Sequence, residues 1–94
     1  MANRMSAAEV TAAVSELDGW DQESDQFIMR KFSFPDHVTA MSFVNRVAMV
    51  AEKKDHHPDL RIVYNSVEIK LSTHDANGVT DKDIDLARAI DGYV

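Results

Sequence analysis

Three of the four histidines, His56, His57 and His74, flank one stretch of alternating apolar and polar residues, and the carboxylates Glu52, Asp55, Asp59 and Asp75 crowd around them. Imidazole, with an ordinary pKa of about 6.5, both donates and accepts protons near neutrality. Neighbouring imidazoles depress one another's protonation, whereas adjacent carboxylates favour it. A cluster with both kinds of neighbour can keep one ring as an acid and another as a base, the equipment for moving two protons in one elimination. Two plainer readings compete. A lone histidine at a strand end is most often a polar surface residue, and His37, near a helix start and without partners in the sequence, is read that way. Imidazoles and carboxylates also ligate zinc and iron, but the spacing fits no HExxH or comparable motif, so no metal is expected. On residue type alone, Glu52 and Asp83 read as a helix-end charge and a capping-box partner.

Bringing these residues together falls to the elements on either side. Ser6 and Glu9 form a capping box for a helix over 7–17, with Gly19 just past its end. A short extended piece begins at Trp20, and a polar turn around 23–25 leads into a strand over 27–34. Ile28, Phe32 and Phe34 take one face of that strand, Lys31 and Ser33 the other. Pro35 and Asp36 open a second helix that runs to about Lys54. Its apolar arc is wide, comprising Val38, Met41, Val44, Ala48 and Ala51 flanked by Ala40, Phe43, Val47 and Val50, and such an arc implies burial against a sheet and a partner subunit. Pro58 stops the helix near 55–57.

Strands over 61–65 and 67–73 follow, the second with Val67, Ile69, Leu71 and Thr73 on one face and Glu68, Lys70, Ser72 and His74 on the other. A turn at Asn65 and Ser66 pairs residues whose numbers sum to 131, and His57 opposite His74 is such a pair. Asn77-Gly78 is a second turn, and Thr80 with Asp83 opens a last helix through Ile84, Ala87 and Ile90. The order α-β-β-α-β-β-α predicts an α+β two-layer sandwich, a four-stranded antiparallel sheet with helices packed on one face.

With 94 residues the chain makes one domain, over 1–94, and 45% apolar with 28% charged residues suits an ordinary globular protein. No cysteine is present, which excludes disulfides and thiolate metal sites. A formal charge of −6 with ten scattered basic residues argues against direct nucleic-acid binding. The N-terminus lacks an apolar signal-peptide core, and no stretch approaches the roughly 20 apolar residues of a membrane span, so a cytoplasmic protein is expected. A domain this small gains from self-association, which predicts a homodimer or homotetramer.

The run Glu52-Lys53-Lys54-Asp55-His56-His57-Pro58 resembles the signature of the pterin-4a-carbinolamine dehydratases: a charged residue, three spacers, His-His-Pro, five spacers to an aromatic, nine to a histidine and eight or more to an aspartate. Tyr64, His74 and Asp83 stand at those positions. The likeness continues through 71–74, the Gly78 turn and the Asp83-Ile84 helix start, back to 46–48, and more loosely to Trp20 and the Phe32-x-Phe34 strand. Leu60 is one departure, since many members carry tryptophan there.

The resemblance implies dehydration of 4a-hydroxytetrahydropterin, including 4a-hydroxytetrahydrobiopterin, to the quinonoid dihydropterin during recycling of the pterin cofactor of aromatic amino acid hydroxylases. It further implies catalysis by His56, His57 and His74, a substrate site lined by Asp55, Ser72, Thr73 and Asp75, support from Glu52 and Asp83, and no cofactor. Some members also serve as dimerisation cofactors of a homeodomain transcription factor, a binding-module alternative that the wide arc of the second helix suits. A diverged member with another substrate is the third reading. Intact His56, His57 and His74 favour catalysis, because a scaffold has no physical need of them.

Overall fold

A computed structural model describes residues 3–94. Its elements are α1 (Ala7–Ser15), β1 (Asp21–Glu23), β2 (Phe27–Ser33), α2 (His37–Lys54), β3 (Asp59–Val63), β4 (Ser66–Leu71), a single 3₁₀ turn over His74–Ala76, and α3 (Asp81–Asp91). The order α-β-β-α-β-β-α is the one expected, and the four strands form one antiparallel sheet in the order β1-β2-β4-β3.

Local chemistry sets the element ends. The Ser6 hydroxyl accepts from the Glu9 N–H while the Glu9 carboxylate accepts from the Ser6 N–H, the reciprocal capping box of α1. The Asp36 carboxylate accepts from both the N–H and the hydroxyl of Thr39 at the start of α2. α1 stops at Ser15, two residues short of the expected end. Gly19 lies beyond its cap at φ +80°, where the Arg30 side chain crosses the backbone.

Strict alternation puts Val67, Ile69 and Leu71 of β4 and Ile28 and Phe32 of β2 against the helices, where they are buried with Val10, Ala40, Phe43, Val44, Val47, Ile84, Leu86, Ala87 and Ile90. Phe43 of α2 meets the rings of Phe32 and Phe34 at 4.8 and 5.0 Å, and aromatic pairs of this kind contribute roughly 0.5–1.5 kcal/mol each beyond their burial. The same alternation carries Arg30 to the inner face of β2. Its guanidinium lies over Phe32 and donates to Asp91 of α3, which also accepts from the Trp20 indole N–H.

Within one chain the buried stripe of α2 is narrower than its apolar sequence: Ala40, Phe43, Val44, Val47 and Ala51 face the core, whereas Ala48 is exposed, Val38 is 75% exposed and Met49 65%. A single sheet layer covers one side of a helix only, so the outer part of the arc has nothing to pack on within one chain. One expectation needs correction: the β3–β4 turn falls one residue earlier than expected. Tyr64 and Asn65 form it, Val63 pairs with Ser66, and Asp59 pairs with Lys70. Tyr64 sits in the left-handed region at φ +51°. The turn is fastened from outside the hairpin: the Asn65 amide donates to the Phe34 carbonyl, the Phe34 N–H donates to the Asn65 carbonyl, and His37 Nδ1 lies 2.6 Å from the Tyr64 carbonyl. His37 is therefore a surface residue that does have a partner, and its partner helps fix the register.

Candidate active site

α2 delivers the first two histidines. Its last turn ends with Asp55 in the left-handed region, φ +51°, and the His56 N–H reaches back to the Ala51 carbonyl. That reversal turns His56 and His57 off the helix axis and towards the end of β4. Pro58 then releases the chain into β3. His74 arrives from the other side, at the start of the 3₁₀ turn that follows β4, a turn closed by the left-handed Asn77 and a bridge between Thr73 and Gly78.

The result is one open cavity of about 190 Å³ lined by Asp55, His56, His57, Ser72, Thr73, His74, Asp75 and Lys82. The three histidines and the four residues expected to line the site therefore share a single cleft. The geometry that joins them is not the predicted His57–His74 pair. In the observed register, continuation of the ladder sets His57 across from Ser72, and both line the cavity. Leu60 lies elsewhere, paired with Ile69 and packed against the core.

Glu52 and Asp83 stand one step behind the rings. His57 Nε2 lies 2.5 Å from Glu52 Oε1 in an exposed pair. His56 Nε2 lies 2.5 Å from Asp83 Oδ1, and here the carboxylate is fully buried while the imidazole is 11% exposed. Asp83 is also the capping-box partner of Thr80: its Oδ2 accepts from the Thr80 N–H at 3.0 Å and from the Thr73 hydroxyl at 2.9 Å. This aspartate is therefore shared: one oxygen caps α3 and the other meets the His56 ring. A hydrogen bond to a carboxylate is about twice as strong as a neutral one, and with the Asp83 carboxylate fully buried it fixes ring orientation firmly.

Hydroxyl groups on the cavity wall are already engaged. Ser72 Oγ donates to the Gln26 carbonyl, and the Thr73 hydroxyl points inward to Asp83. Lys82 was not anticipated from the sequence. It lines the cavity, and with Lys54, His56 and Asp85 it also lines an adjoining cleft of about 190 Å³. One signal was present: a lysine in the first turn of a helix opposes the helix dipole, so its place there calls for a reason other than helix stability. Among the described residues no three of His, Cys, Asp and Glu converge as a metal-ligand set.

Comparison with known proteins places these features in a lineage. The family described as "Pterin 4 alpha carbinolamine dehydratase" matches residues 3–93. The chain is 49% identical over 92 residues to a protein of Bradyrhizobium sp. (strain ORS 278), and 46% identical over 90 residues to one of Thermosynechococcus vestitus. Both are named pterin-4-alpha-carbinolamine dehydratases; the matches cover 97% and 96% of this chain and 92% and 94% of theirs. The crystal structure of a transcriptional coactivator/pterin dehydratase from Brucella melitensis superposes with a TM-score of 0.91 at 42% identity, covering 96% of this chain and 97% of that one. A pterin dehydratase-like protein identified as a RuBisCO assembly factor in the alpha-carboxysome shares the fold, with a TM-score of 0.68 at 17% identity over 79% of this chain and 87% of that one.

Proposed function

The chain belongs to the pterin-4a-carbinolamine dehydratase family, and from that premise we propose that its histidine cleft dehydrates 4a-hydroxytetrahydropterin by general acid–base catalysis. It is an enzyme of the hydro-lyase class. The observation that carries the mechanism is the convergence of His56, His57 and His74 on one cavity.

The reaction needs two proton movements and no electron transfer. One imidazolium protonates the 4a-hydroxyl, the C4a–O bond breaks, and water leaves. A neutral imidazole takes the N5 proton, and the N5–C4a double bond of the quinonoid dihydropterin forms. Two rings in different environments divide this work naturally, and His56 rests on a buried carboxylate while His57 rests on an exposed one. Asp55, Ser72, Thr73 and Asp75 form the walls that hold the pterin, and Glu52 and Asp83 orient the rings. Positioned acid–base groups typically supply roughly 10²- to 10⁴-fold, which suffices for an elimination that already proceeds slowly unaided.

The biological setting we assign is cytoplasmic recycling of the pterin cofactor of aromatic amino acid hydroxylases. No helix of the described residues is long and apolar enough to cross a membrane, which is compatible with that setting. Self-association into a dimer or tetramer is supported by the uncovered Val38 and Met49 of α2, and by Val63 beside the exposed turn residue Tyr64 at the edge of the sheet.

The test is stopped-flow absorbance of chemically generated 4a-hydroxytetrahydropterin, with and without the purified protein. Acceleration that survives a chelator supports the reading. A time course that matches the buffer blank overturns it and leaves a scaffold role.

A further inference from the structure

Behind the His56 ring runs a chain of hydrogen bonds sealed from solvent. Thr80 and Asp83 are fully buried and Thr73 is 7% exposed. The two threonine hydroxyls lie 2.6 Å apart, and the Thr73 hydroxyl is 2.9 Å from Asp83 Oδ2. Each hydroxyl has one hydrogen to give. Thr73 gives its hydrogen to Asp83, an acceptor, so the hydrogen between the two threonines must come from Thr80. The chain therefore has one direction, from Thr80 to Thr73 to Asp83.

That direction limits what His56 can do. Oδ2 of Asp83 already receives two hydrogens, from Thr73 and from the Thr80 N–H, which pins the plane of the carboxylate and leaves Oδ1 facing the imidazole. With Asp83 an acceptor at both oxygens, the hydrogen between Oδ1 and Nε2 belongs to the imidazole, and that nitrogen is committed to Asp83. Nδ1 is the nitrogen left to meet a molecule in the cavity, and the hydrogen bond at one ring nitrogen sets the state of the other.

We propose that Thr73 and Thr80 are positioning residues that lock His56 by way of Asp83, so that His56 exchanges protons with its substrate through Nδ1 alone. The inference deepens the acid–base reading above and rests on it for its catalytic consequence, but not for the tautomer itself. The elimination stays as balanced above; what is fixed is the atom through which His56 gives or takes its proton.

The test combines ¹⁵N NMR of the histidine rings with kinetics of Thr73→Val and Thr73→Ser. In the wild type at alkaline pH, the neutral His56 ring is expected to carry hydrogen on Nε2 and a lone pair on Nδ1. Thr73→Val keeps the buried shape but removes the hydroxyl, and it should give a mixture of tautomers and lower kcat about tenfold with KM within twofold. Thr73→Ser restores the hydroxyl and should recover both. A wild-type ring with hydrogen on Nδ1 overturns the proposal even if the enzyme is active. So does a folded Thr73→Val protein with wild-type kcat and an unmixed tautomer. If Thr73→Val does not fold, the wild-type tautomer and Thr73→Ser still decide, since Nδ1–H in either refutes the lock. An inactive wild type with Nε2–H would end the dehydratase reading and leave the lock standing.

Discussion

His56 and Asp83, 27 residues apart in the chain, meet through a 2.5 Å contact between Nε2 and Oδ1, and the carboxylate that makes it has no solvent exposure. The contact joins the end of α2 to the first turn of α3, so the cleft histidine and the helix cap share one side chain. Replacement of Asp83 by Asn should therefore act on both. Its amide cannot accept from every donor that now surrounds the carboxylate, and a buried donor left unmatched costs about 1–3 kcal/mol. Urea unfolding should show a loss of that size, and steady-state kinetics should show kcat lower by about 10²-fold, from a misoriented ring. Wild-type kcat in a folded Asp83→Asn protein contradicts this.

Lys82 lines the histidine cavity from a position that is poor for helix stability. Lys82→Ala should leave kcat within about twofold, raise KM several-fold, and increase stability slightly, by about 0.3–1 kcal/mol, as a cation leaves the positive end of a helix. Kinetics and thermal unfolding on the same sample separate these effects. Unchanged KM would mean the lysine is a bystander.

Asp55 holds a left-handed conformation at the hinge from which the two histidines depart. Glycine adopts it freely, and a β-branched residue does not. Asp55→Gly should change stability by less than about 1 kcal/mol, whereas Asp55→Val should cost roughly 1–3 kcal/mol and displace the rings, with lower activity. Denaturant midpoints and kcat of the two variants check this; equal stability of the two contradicts the backbone argument.

Acid should destabilise the fold through its caps. The Ser6 N–H and hydroxyl hold the Glu9 carboxyl below its usual range, the Arg4 guanidinium does the same for Asp25, and the Thr39 N–H and hydroxyl do so for Asp36. A carboxyl whose folded pKa lies below its unfolded one favours the folded state above the unfolded value, and that contribution is lost as pH falls through the folded value. The contribution of these three carboxyls should be complete down to about pH 5, and decline below the ordinary values of 4.5 for glutamate and 3.8 for aspartate. Urea midpoints from pH 7 to 3 follow this, and Asp36→Asn, which keeps a capping oxygen, should flatten the decline. A midpoint that rises on acidification to pH 3 contradicts the assignment.

Much of this was legible because periodicity and capping are local. Ser6 with Glu9, Asp36, and Thr80 with Asp83 mark their helix starts in the sequence, and the alternation of β4 assigns its two faces correctly. The hairpin register was not legible, because it depends on Phe34 and His37 reaching across to the turn at Tyr64 and Asn65, contacts no local pattern reveals. How much of the α2 arc one chain buries was not legible for a related reason: whether Val38 and Ala48 are covered depends on how many layers the fold supplies. The histidine cluster survived the wrong register because a shift of one residue at the turn leaves both strand ends on the same rim. The burial of Asp83 and the inward turn of the Thr73 hydroxyl were not legible, since a capping-box aspartate is ordinarily exposed.

The central claim is that three imidazoles around one cavity move the two protons of the elimination. The most direct measurement is the rate of 4a-hydroxytetrahydropterin dehydration by His56→Ala, His57→Ala and His74→Ala beside the wild type, with circular dichroism to confirm folding. Loss of most of the acceleration, about 10²-fold, in His56→Ala and His74→Ala is the predicted result. Folded variants that keep the wild-type rate would contradict the account.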